Sequence, residues 1–524
     1  MANKYQESLK RFNLKEFEQS WGSVHRGIEK ESLRVTATGS VSSAEHPKSL
    51  GSALTNPYIT TDFSEALLEF ITPATDSIET CLEFLEAIHR FTYQHLDDEE
   101  VLWVCSMPCP TGDLDQIPLA QYGNSNIGRL KTLYRRGLHH RYGGLMQTIA
   151  GIHYNFSMPD SFWPEFQHQC GNKDSLSDFR TARYLHLIRN FHRYSWLLYY
   201  LFGASPVTCK CFTDGREHRL KEYDSGTLYL PYATCLRMSN LGYRSSAQQS
   251  LFVCYNELDS YVQSLNSAMR TPYAPYQDID DSFPEGRPQM NANLLQLENE
   301  FYSSIRPKRT TLPGERPLSA LLRDGIEYVE VRALDLNPFL PLGIDEEQIK
   351  FLDTFLLYCL LSDSPQCDER ENQEISANIE LVVEQGRDPA LTLKHEGNSV
   401  KLTEWGSTLL QDMQHAAVIL DQIQEESGHR SSLKNQQAKI DNADLTPSGK
   451  LLKEMASADL SFFRFAMQLS QQNRRFMTTT PPASKYAALL NAASSVSLER
   501  QKEIEESDSI PFEKYLAEYN SYQA

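Results

Sequence analysis

Apolar and polar positions alternate along several short stretches in the first two thirds of the chain, and this pattern predicts β-strands. Three of these stretches are GIEKESLRV (27–35), EALLEFITP (65–73) and GIHYNFSMP (151–159), each rich in apolar residues and bounded by turn-forming ones. Two further strand-like stretches cover residues 290–309 and 325–339. The strands of a sheet are therefore expected before about residue 345.

Helical spacing separates these stretches. Over residues 76–97 apolar side chains recur every three or four positions, as at Ile78, Leu85 and Ile88, which places them on one helix face. Comparable patterns predict four further helices, over residues 1–20, 127–149, 176–203 and 250–268.

Only helical patterns with polar connectors follow residue 345, and the polar stretch 424–448 is predicted to be a loop. Strands and helices do not alternate regularly, so we predict an α+β fold and not a βαβ one. We expect an α+β region over residues 1–345 and a mainly helical region over residues 346–524 that packs on it as one continuous unit.

Composition is that of a large globular protein: 40% of the 524 residues are hydrophobic and 23% are charged. The chain has 50 basic and 69 acidic residues, a net charge of −19. This charge argues against a general nucleic-acid binder, which needs a basic face to meet phosphates. A local group of arginines and lysines could still bind a nucleotide.

No stretch approaches the roughly 20 apolar residues that a membrane span needs. The first 21 residues contain no apolar region of the kind found in signal peptides. We therefore expect a cytoplasmic protein without a membrane partner. The 10 cysteines do not form pairs at zinc-site spacing, and we expect reduced, mostly buried thiols.

Carboxylates within the predicted strands are the strongest sign of a functional site. Glu29 and Glu31 are two residues apart and project from the same face of a strand. Two neighbouring like charges are costly unless a cation lies between them, and a divalent metal would remove that cost. Glu69 lies in the apolar run ALLEFIT, where a lone carboxylate is unexpected.

Other strands repeat this pattern. Glu330 and Arg332 share one strand face, and His153 and Asn155 share another. Carboxylate oxygens with one imidazole suit Mg²⁺ or Mn²⁺ better than a structural zinc. Taken singly, each residue is more often a solvated group on the open face of an antiparallel sheet, or a core histidine. Their recurrence on separate strands favours the metal site.

Two basic stretches lie near the same segments. LYRRGLHHR contains Arg135, Arg136 and Arg141, and IRPKR contains Arg306, Lys308 and Arg309. Guanidinium groups match the geometry of phosphate and carboxylate, although a surface basic patch would look the same. The chain has no P-loop, no GxGxxG after a strand, no HExxH and no GxSxG. A bound nucleotide would need another kind of site.

Seven segments of the chain resemble bacterial glutamate–cysteine ligases of the gammaproteobacterial type, a family related to glutamine synthetase. The resemblance runs over nearly the whole chain, is dense to about residue 345 and is much weaker beyond it. The segments are RGIEKESLRV (26–35), LGSALT…ITTDFSEALLEFITP (50–73), QYGNSNIGRLKTLYRRGLHHRYGGLMQTIAGIHYNFS (121–157), LFGASP (201–206), LPYATCLRMSNLGY (230–243), LLQLENEFYSSIRPKR (294–309) and GIEYVEVRALDLNPF (325–339).

The resemblance implies a glutamine synthetase-like fold, in which a curved antiparallel sheet forms a funnel, helices surround it, and metals and ATP bind at one end. It also implies the reaction. ATP phosphorylates the γ-carboxylate of L-glutamate, and the L-cysteine amine displaces phosphate to give γ-glutamylcysteine, ADP and phosphate, the first step of glutathione biosynthesis. Mg²⁺ is the implied cofactor, Mn²⁺ a possible substitute, and a monomer the implied state. Residues 1–345 would be the catalytic region.

The resemblance also assigns site residues. The family's metal ligands fall on Glu29, Glu31, Glu69, His153 and Glu330, with Asp62 as a further member. Arg135 and Arg332 are placed to stabilise the transferred phosphoryl group or the tetrahedral intermediate. The residues that resemble the amino-acid pocket are Phe63, Tyr134, Leu138, Gln147, Arg237, Tyr243 and Tyr302. For Tyr243 and Tyr302 the alternative is core packing with a satisfied hydroxyl.

Two other functions are compatible with these residues. A related carboxylate–amine ligase with a different amine acceptor would use the same metal and phosphate groups and differ in the acceptor pocket. A binding protein that has lost catalysis would show damaged ligand positions, and all of those named above are intact.

Overall fold

The computed structural model describes residues 22–109, 117–213, 216–242, 246–249, 251–282, 287–312, 314–423 and 427–521. The predicted helix over residues 1–20 and the predicted pocket residue Tyr243 lie outside these ranges. None of the described helices is both long enough and apolar enough to cross a membrane.

The strands of the described residues form three sheets. In chain order, those in the described part of the chain are β1 (His25–Thr36), β2 (Ile59–Thr61), β3 (Leu67–Ile71), β4 (Glu100–Leu102), β5 (Ile152–Ser157), β6 (Val207–Cys209), β7 (Lys221–Glu222), β8 (Thr227–Tyr229), β9 (Ile305–Lys308), β10 (Tyr328–Leu334), β11 (Thr392–His395) and β12 (Asn398–Lys401).

Helices make up most of the remainder. In chain order, the α-helices are α1 (Ile78–Tyr93), α2 (Asn126–Tyr142), α3 (Phe162–Gln169), α4 (Leu176–Tyr194), α5 (Trp196–Phe202), α6 (Ser246–Gln249), α7 (Leu258–Ala268), α8 (Ala274–Asp281), α9 (Pro317–Asp324), α10 (Glu346–Leu361), α11 (Glu369–Gln385), α12 (Leu402–Asp412), α13 (Gln414–Ile423), α14 (His429–Asp441), α15 (Pro447–Ala458), α16 (Phe462–Thr479), α17 (Ser484–Ser507) and α18 (Phe512–Ser521).

The main sheet has the strand order β2–β3–β1–β5–β10–β9, with β4 paired to the end of β1. All of these pairs are antiparallel. The register places Glu29 opposite His153, and Glu31 opposite Glu69. Because directly opposed residues share a face, the acidic side chains of three neighbouring strands point to the same side. The predicted α+β fold with an antiparallel sheet is confirmed.

The other face of the sheet is buried under helices. Ile28, Tyr154 and Val329 are fully buried there. Helix α1 packs on β1 and β3, and α4 packs on β9 and β10. Burying the apolar face in this way leaves the acidic face as the wall of a site.

The C-terminal region differs from the prediction in two places. The hairpin β11–β12 follows residue 345, where only helices were expected. Helix α14 lies inside the predicted loop 424–448. Its buried face includes Ser432 and Gln436, which donate hydrogen bonds to the backbone carbonyl and the carboxylate of Glu347. Because this buried face is partly polar, hydrophobic spacing does not show it.

Two smaller expectations also change. The helix predicted over residues 176–203 is divided at Ser195 into α4 and α5. Cys109 and Cys209 form a disulfide with their Cα atoms 5.3 Å apart, so the expectation of reduced thiols is wrong for this pair. The two residues are 100 positions apart, and their spacing could not reveal the contact. Four of the other eight cysteines are buried.

Candidate active site

An acidic cluster with one histidine occupies the middle of the open sheet face. His153 Nδ1 lies 3.1 Å from Glu29 Oε2 and 3.8 Å from Glu69 Oε1. One ligand atom from each of these three residues lies within 4.8 Å of the others. His153 Nε2 lies 3.6 Å from Glu31 Oε1. The cluster therefore has the dimensions of a metal site.

Glu330 extends the cluster along β10 and is paired with two cations. Its carboxylate lies 2.8 Å from Lys308 Nζ and 3.2 Å from Arg332 Nη1. Arg332 Nη1 is also 3.4 Å from His153 Nδ1. Burial alone would raise the pKa of Glu330, but Lys308 and Arg332 hold this pKa well below its usual range. Glu330 thus remains a carboxylate although it is only 1% exposed.

Glu69 and Glu31 have too little positive charge around them to offset their burial. Burial raises the pKa of Glu69 well above its usual range, and the charges of Glu29, Asp62 and Glu31 raise it further. Burial is also the main cause of the raised pKa of Glu31. Gathering carboxylates in this way is unfavourable unless a cation binds among them, so the arrangement points to a ligand and not to a structural role.

Asn155 supports this interpretation. Its Nδ2 donates a hydrogen bond of 2.9 Å to Glu29 Oε1. Its Oδ1 is buried and has no hydrogen-bond partner among the described residues. Carboxylate and amide oxygens with one imidazole are donors that a hard divalent cation prefers. The alternative of solvated residues does not fit, because Glu31 and His153 are each 4% exposed.

Asp62 and Arg135 lie at the edge of this cluster. Asp62 follows β2, and its charge raises the pKa of Glu31 and of Glu69. Its backbone carbonyl accepts a short hydrogen bond from Arg135 Nε. The Arg135 guanidinium also donates to the Lys131 carbonyl and lies 4.5 Å from the centre of the Tyr122 ring. In this structure Arg135 holds the loop that carries Asp62.

Three residues of the predicted amino-acid pocket lie on α2, just after it, and in the segment that precedes β9: Tyr134, Gln147 and Tyr302. Gln147 Nε2 donates to the Tyr302 hydroxyl at 2.8 Å. The Tyr134 carbonyl accepts a hydrogen bond of 3.3 Å from Gln296 Nε2. Gly137 allows this approach, since a side-chain carbon there would overlap the Gln296 amide. Burial, together with the neighbouring Glu300 and Tyr302, raises the pKa of Tyr134, so Tyr134 lies in the same wall as Gln147 and Tyr302.

The remaining predicted pocket residues lie in the core or beside the cluster. Phe63 follows Asp62 and is 1% exposed, and Leu138 on α2 is 7% exposed. Arg237 is buried, and its Nη2 donates to the Arg332 carbonyl at 3.1 Å. The structure thus brings the predicted arginine of the pocket next to the predicted arginine of catalysis.

A cavity of about 350 Å³ opens beside Lys308, at the end of β9. Its walls include Lys308, Arg309, Thr310 and the aromatic ring of Tyr328. Lys308 connects this cavity to the acidic cluster through its ion pair with Glu330. The family resemblance assigned no site role to Asn155 or Lys308, although both lie in candidate stretches of the sequence. The signal that could have identified them is strand alternation. Asn155 lies two residues from His153, and Lys308 lies two residues from Arg306, so each shares a strand face with a candidate residue.

Comparisons with known proteins agree with the geometry. The chain matches the family model described as glutamate–cysteine ligase over residues 9–382. It is 49% identical over 501 residues to the glutamate–cysteine ligase of Alcanivorax borkumensis, and the alignment covers 95% of each chain. It is 49% identical over 495 residues to the glutamate–cysteine ligase of Pseudomonas putida, and that alignment covers 94% of each chain.

Two solved structures have the same fold. A crystal structure of glutamate–cysteine ligase from Francisella tularensis in complex with AMP aligns with a TM-score of 0.89 at 34% identity, covering 95% of this chain and 98% of that one. A bifunctional glutathione synthetase from Pasteurella multocida aligns with a TM-score of 0.68 at 26% identity, covering 94% of this chain and 57% of that one.

Proposed function

The chain belongs to the glutamate–cysteine ligase family, and we propose that the acidic cluster of its open sheet face is where it performs this family's reaction. The protein joins L-glutamate to L-cysteine at the expense of ATP and produces γ-glutamylcysteine, the first step of glutathione biosynthesis. The observation that supports this location is the convergence of Glu29, Glu69 and His153, with Glu330 and Arg332 beside them.

Metal ions would be held by Glu29, Glu31, Glu69, His153 and Glu330, with Asp62 at the edge. Mg²⁺ is the proposed ion and Mn²⁺ its substitute, because the donors are oxygens with one imidazole. Such an ion would supply positive charge to the ATP phosphates.

The cationic side chains of β9 and β10 would bind the phosphate groups of ATP. Arg332 and Lys308 lie on either side of Glu330 and can hold phosphate oxygens during transfer to the glutamate γ-carboxylate. The cavity beside Lys308 is our proposed place for the nucleotide, whose base would lie among Tyr328 and its neighbours. Little covalent work is then required of the protein beyond positioning ATP and glutamate and excluding water.

The second half of the reaction needs the L-cysteine amine near the γ-glutamyl phosphate. We assign this positioning to the wall formed by Tyr134, Gln147 and Tyr302, with Arg237 as the cationic partner of an amino-acid carboxylate. Phe63 and Leu138 provide apolar surface for the cysteine side chain. Tyr243 remains a predicted member of this pocket.

The experiment that tests this function measures ADP release by the purified full chain with Mg-ATP and L-glutamate, with and without L-cysteine, and identifies the product by mass. Cysteine-dependent ADP release with formation of γ-glutamylcysteine is the expected result. If ADP appeared only with another amine, the related carboxylate–amine ligase would be correct. Nucleotide binding without turnover of any amine would indicate a binder that has lost catalysis.

An Asn155→Ala variant should bind Mn²⁺ about 10–100-fold more weakly, because Asn155 orients Glu29 and such outer partners commonly contribute this much. Electron paramagnetic resonance of free Mn²⁺, without nucleotide, measures this affinity directly. Asn378→Ala is the control, since the Asn378 side chain also donates a hydrogen bond through Nδ2, here to the Lys394 carbonyl, but lies on α11. Equal Mn²⁺ affinity of both variants would contradict the metal site.

Three expectations from the sequence are further proposals: a cytoplasmic location, a monomeric state, and a catalytic region that ends near residue 345.

A further inference from the structure

Asp335 is a buried carboxylate placed directly after β10, three residues beyond Arg332. It is 1% exposed. Its Oδ2 accepts hydrogen bonds from the Ala204 amide at 2.8 Å and from the Ser205 hydroxyl at 2.7 Å. Its Oδ1 accepts one from the Cys235 thiol at 3.2 Å. One carboxylate thus ties the end of a central strand to two separate segments.

The segment that contains Cys235 also carries Arg237. Arg237 Nη1 lies 3.9 Å from Asp335 Oδ1, and both side chains are buried. Ser205, which donates to Asp335, accepts a hydrogen bond of 3.4 Å from the Arg237 backbone amide. The Leu236 amide donates to the Ser205 carbonyl at 2.8 Å. Asp335 therefore constrains both the backbone and the charged group of Arg237.

Gly151 forms the surface against which this guanidinium lies. A side-chain carbon at Gly151 would overlap Arg237 Nη2. The Gly151 amide donates to Glu31 Oε2 at 2.6 Å, so the same glycine contacts the acidic cluster. Arg237 Nη2 is held on its other side by the Arg332 carbonyl at 3.1 Å. The guanidinium is thereby fixed between the two strands that carry the metal and phosphate residues.

We propose that Asp335 is a positioning residue that, with the bare surface of Gly151, determines where Arg237 meets the carboxylate of an amino-acid substrate. This inference rests on the proposed role of Arg237 in the amino-acid pocket. Without the Asp335 charge, Arg237 would still be attracted by Glu31 in the cluster. The guanidinium would then move toward the metal ligands and away from the substrate.

The test compares steady-state kinetics of the full chain and three variants: Asp335→Asn, Gly151→Ala and Arg237→Lys. The KM of the amino-acid substrate whose carboxylate Arg237 binds should rise on the order of 10–100-fold in each variant. Small displacements of a binding group have effects of this size. The kcat and the KM of ATP should stay within about twofold. Asp353→Asn is the matched control, a buried carboxylate paired with Arg26 on the opposite face of the sheet, and should leave all KM values unchanged.

A double-mutant cycle separates positioning from general support of the fold. If Asp335 acts through Arg237, the KM of the Asp335→Asn, Arg237→Lys double variant should equal that of Arg237→Lys alone. The inference would be overturned if the KM increase of the double variant were the product of the two single increases. It would also be overturned if Asp335→Asn changed kcat and the KM of ATP as much as it changed the KM of the amino acid. Should Asp335→Asn fail to fold, Gly151→Ala tests the position of Arg237 by itself, since Gly151 does not adopt a left-handed backbone and the atoms nearest to an added methyl group are those of the Arg237 guanidinium.

Failure of the proposed function gives a different result. An Arg237→Lys variant with unchanged KM for both amino acids would remove Arg237 from the pocket, and the role of Asp335 with it. A raised KM in Arg237→Lys, with Asp335→Asn and Gly151→Ala like the wild type, would overturn the positioning inference alone.

Discussion

Replacing Glu330 by glutamine should lower kcat by about a thousandfold, the size of effect seen when charge stabilisation of a phosphoryl group is lost. Glu330 is buried and paired with Lys308 and Arg332, so one carboxylate orients both cations. A neutral amide of the same shape would remove the charge and leave the two cations to repel each other. It would also remove a proposed metal ligand. Cysteine-dependent ADP release under saturating substrates measures the effect.

Glu506→Gln is the control for this experiment. Glu506 lies on α17, its side chain is 68% exposed, and it pairs with Lys502 on the same helix, outside the sheet that carries the acidic cluster. Its kcat should stay within about twofold of the wild type, as expected for a surface change outside the site. If Glu330→Gln retained a tenth or more of the activity while folded, Glu330 would not belong to the catalytic cluster.

An Asp353→Ala variant should lose about 3–5 kcal/mol of the free energy of unfolding, because it removes the carboxylate that neutralises a buried guanidinium. Asp353 on α10 lies 3.0 Å from Arg26 Nη2 on β1, and both side chains are 0% exposed. It also accepts a hydrogen bond of 2.5 Å from the Tyr154 hydroxyl on β5. This carboxylate therefore attaches the first helix after residue 345 to the buried face of the sheet.

Urea denaturation followed by circular dichroism measures the loss. Glu222→Ala is the contrasting variant, since Glu222 pairs with Lys210 at the surface, where both side chains are more than half exposed. Its denaturation midpoint should equal that of the wild type. A midpoint for Asp353→Ala close to the wild type would show that the Arg26 pair does not support the attachment of α10.

The alternating pattern within each strand was sufficient to predict which side chains lie on the open face of the sheet. Alternation of side chains on a strand places Glu29 with Glu31, His153 with Asn155, and Glu330 with Arg332. It could not show which strands are neighbours. That depends on register, and the opposition of Glu29 to His153 joins residues more than 120 positions apart. The family resemblance supplied the missing link between the strands.

Where burial involves polar groups, sequence patterns failed. Helix α14 was interpreted as a loop because Ser432 and Gln436 form part of its buried face. The contacts of Arg135 with the Asp62 carbonyl and the Tyr122 ring were likewise not foreseen, while its assignment to the phosphoryl group stays a prediction. Hydrophobic periodicity reports only the burial of apolar side chains. A face that is buried through polar side chains cannot be recognised from the sequence until the hydrogen-bond partners of those side chains are known.

The sequence by itself determined the fold class, the family and the faces on which the acidic strand residues lie, because these depend on periodicities and motifs within a single segment. Only the tertiary structure decided the pairing of Lys308 with Glu330, the disulfide of Cys109 with Cys209, and the support of Arg237 by Asp335 and Gly151. These contacts join segments that are far apart in the chain. Their geometry follows from strand register and packing, which no local pattern specifies.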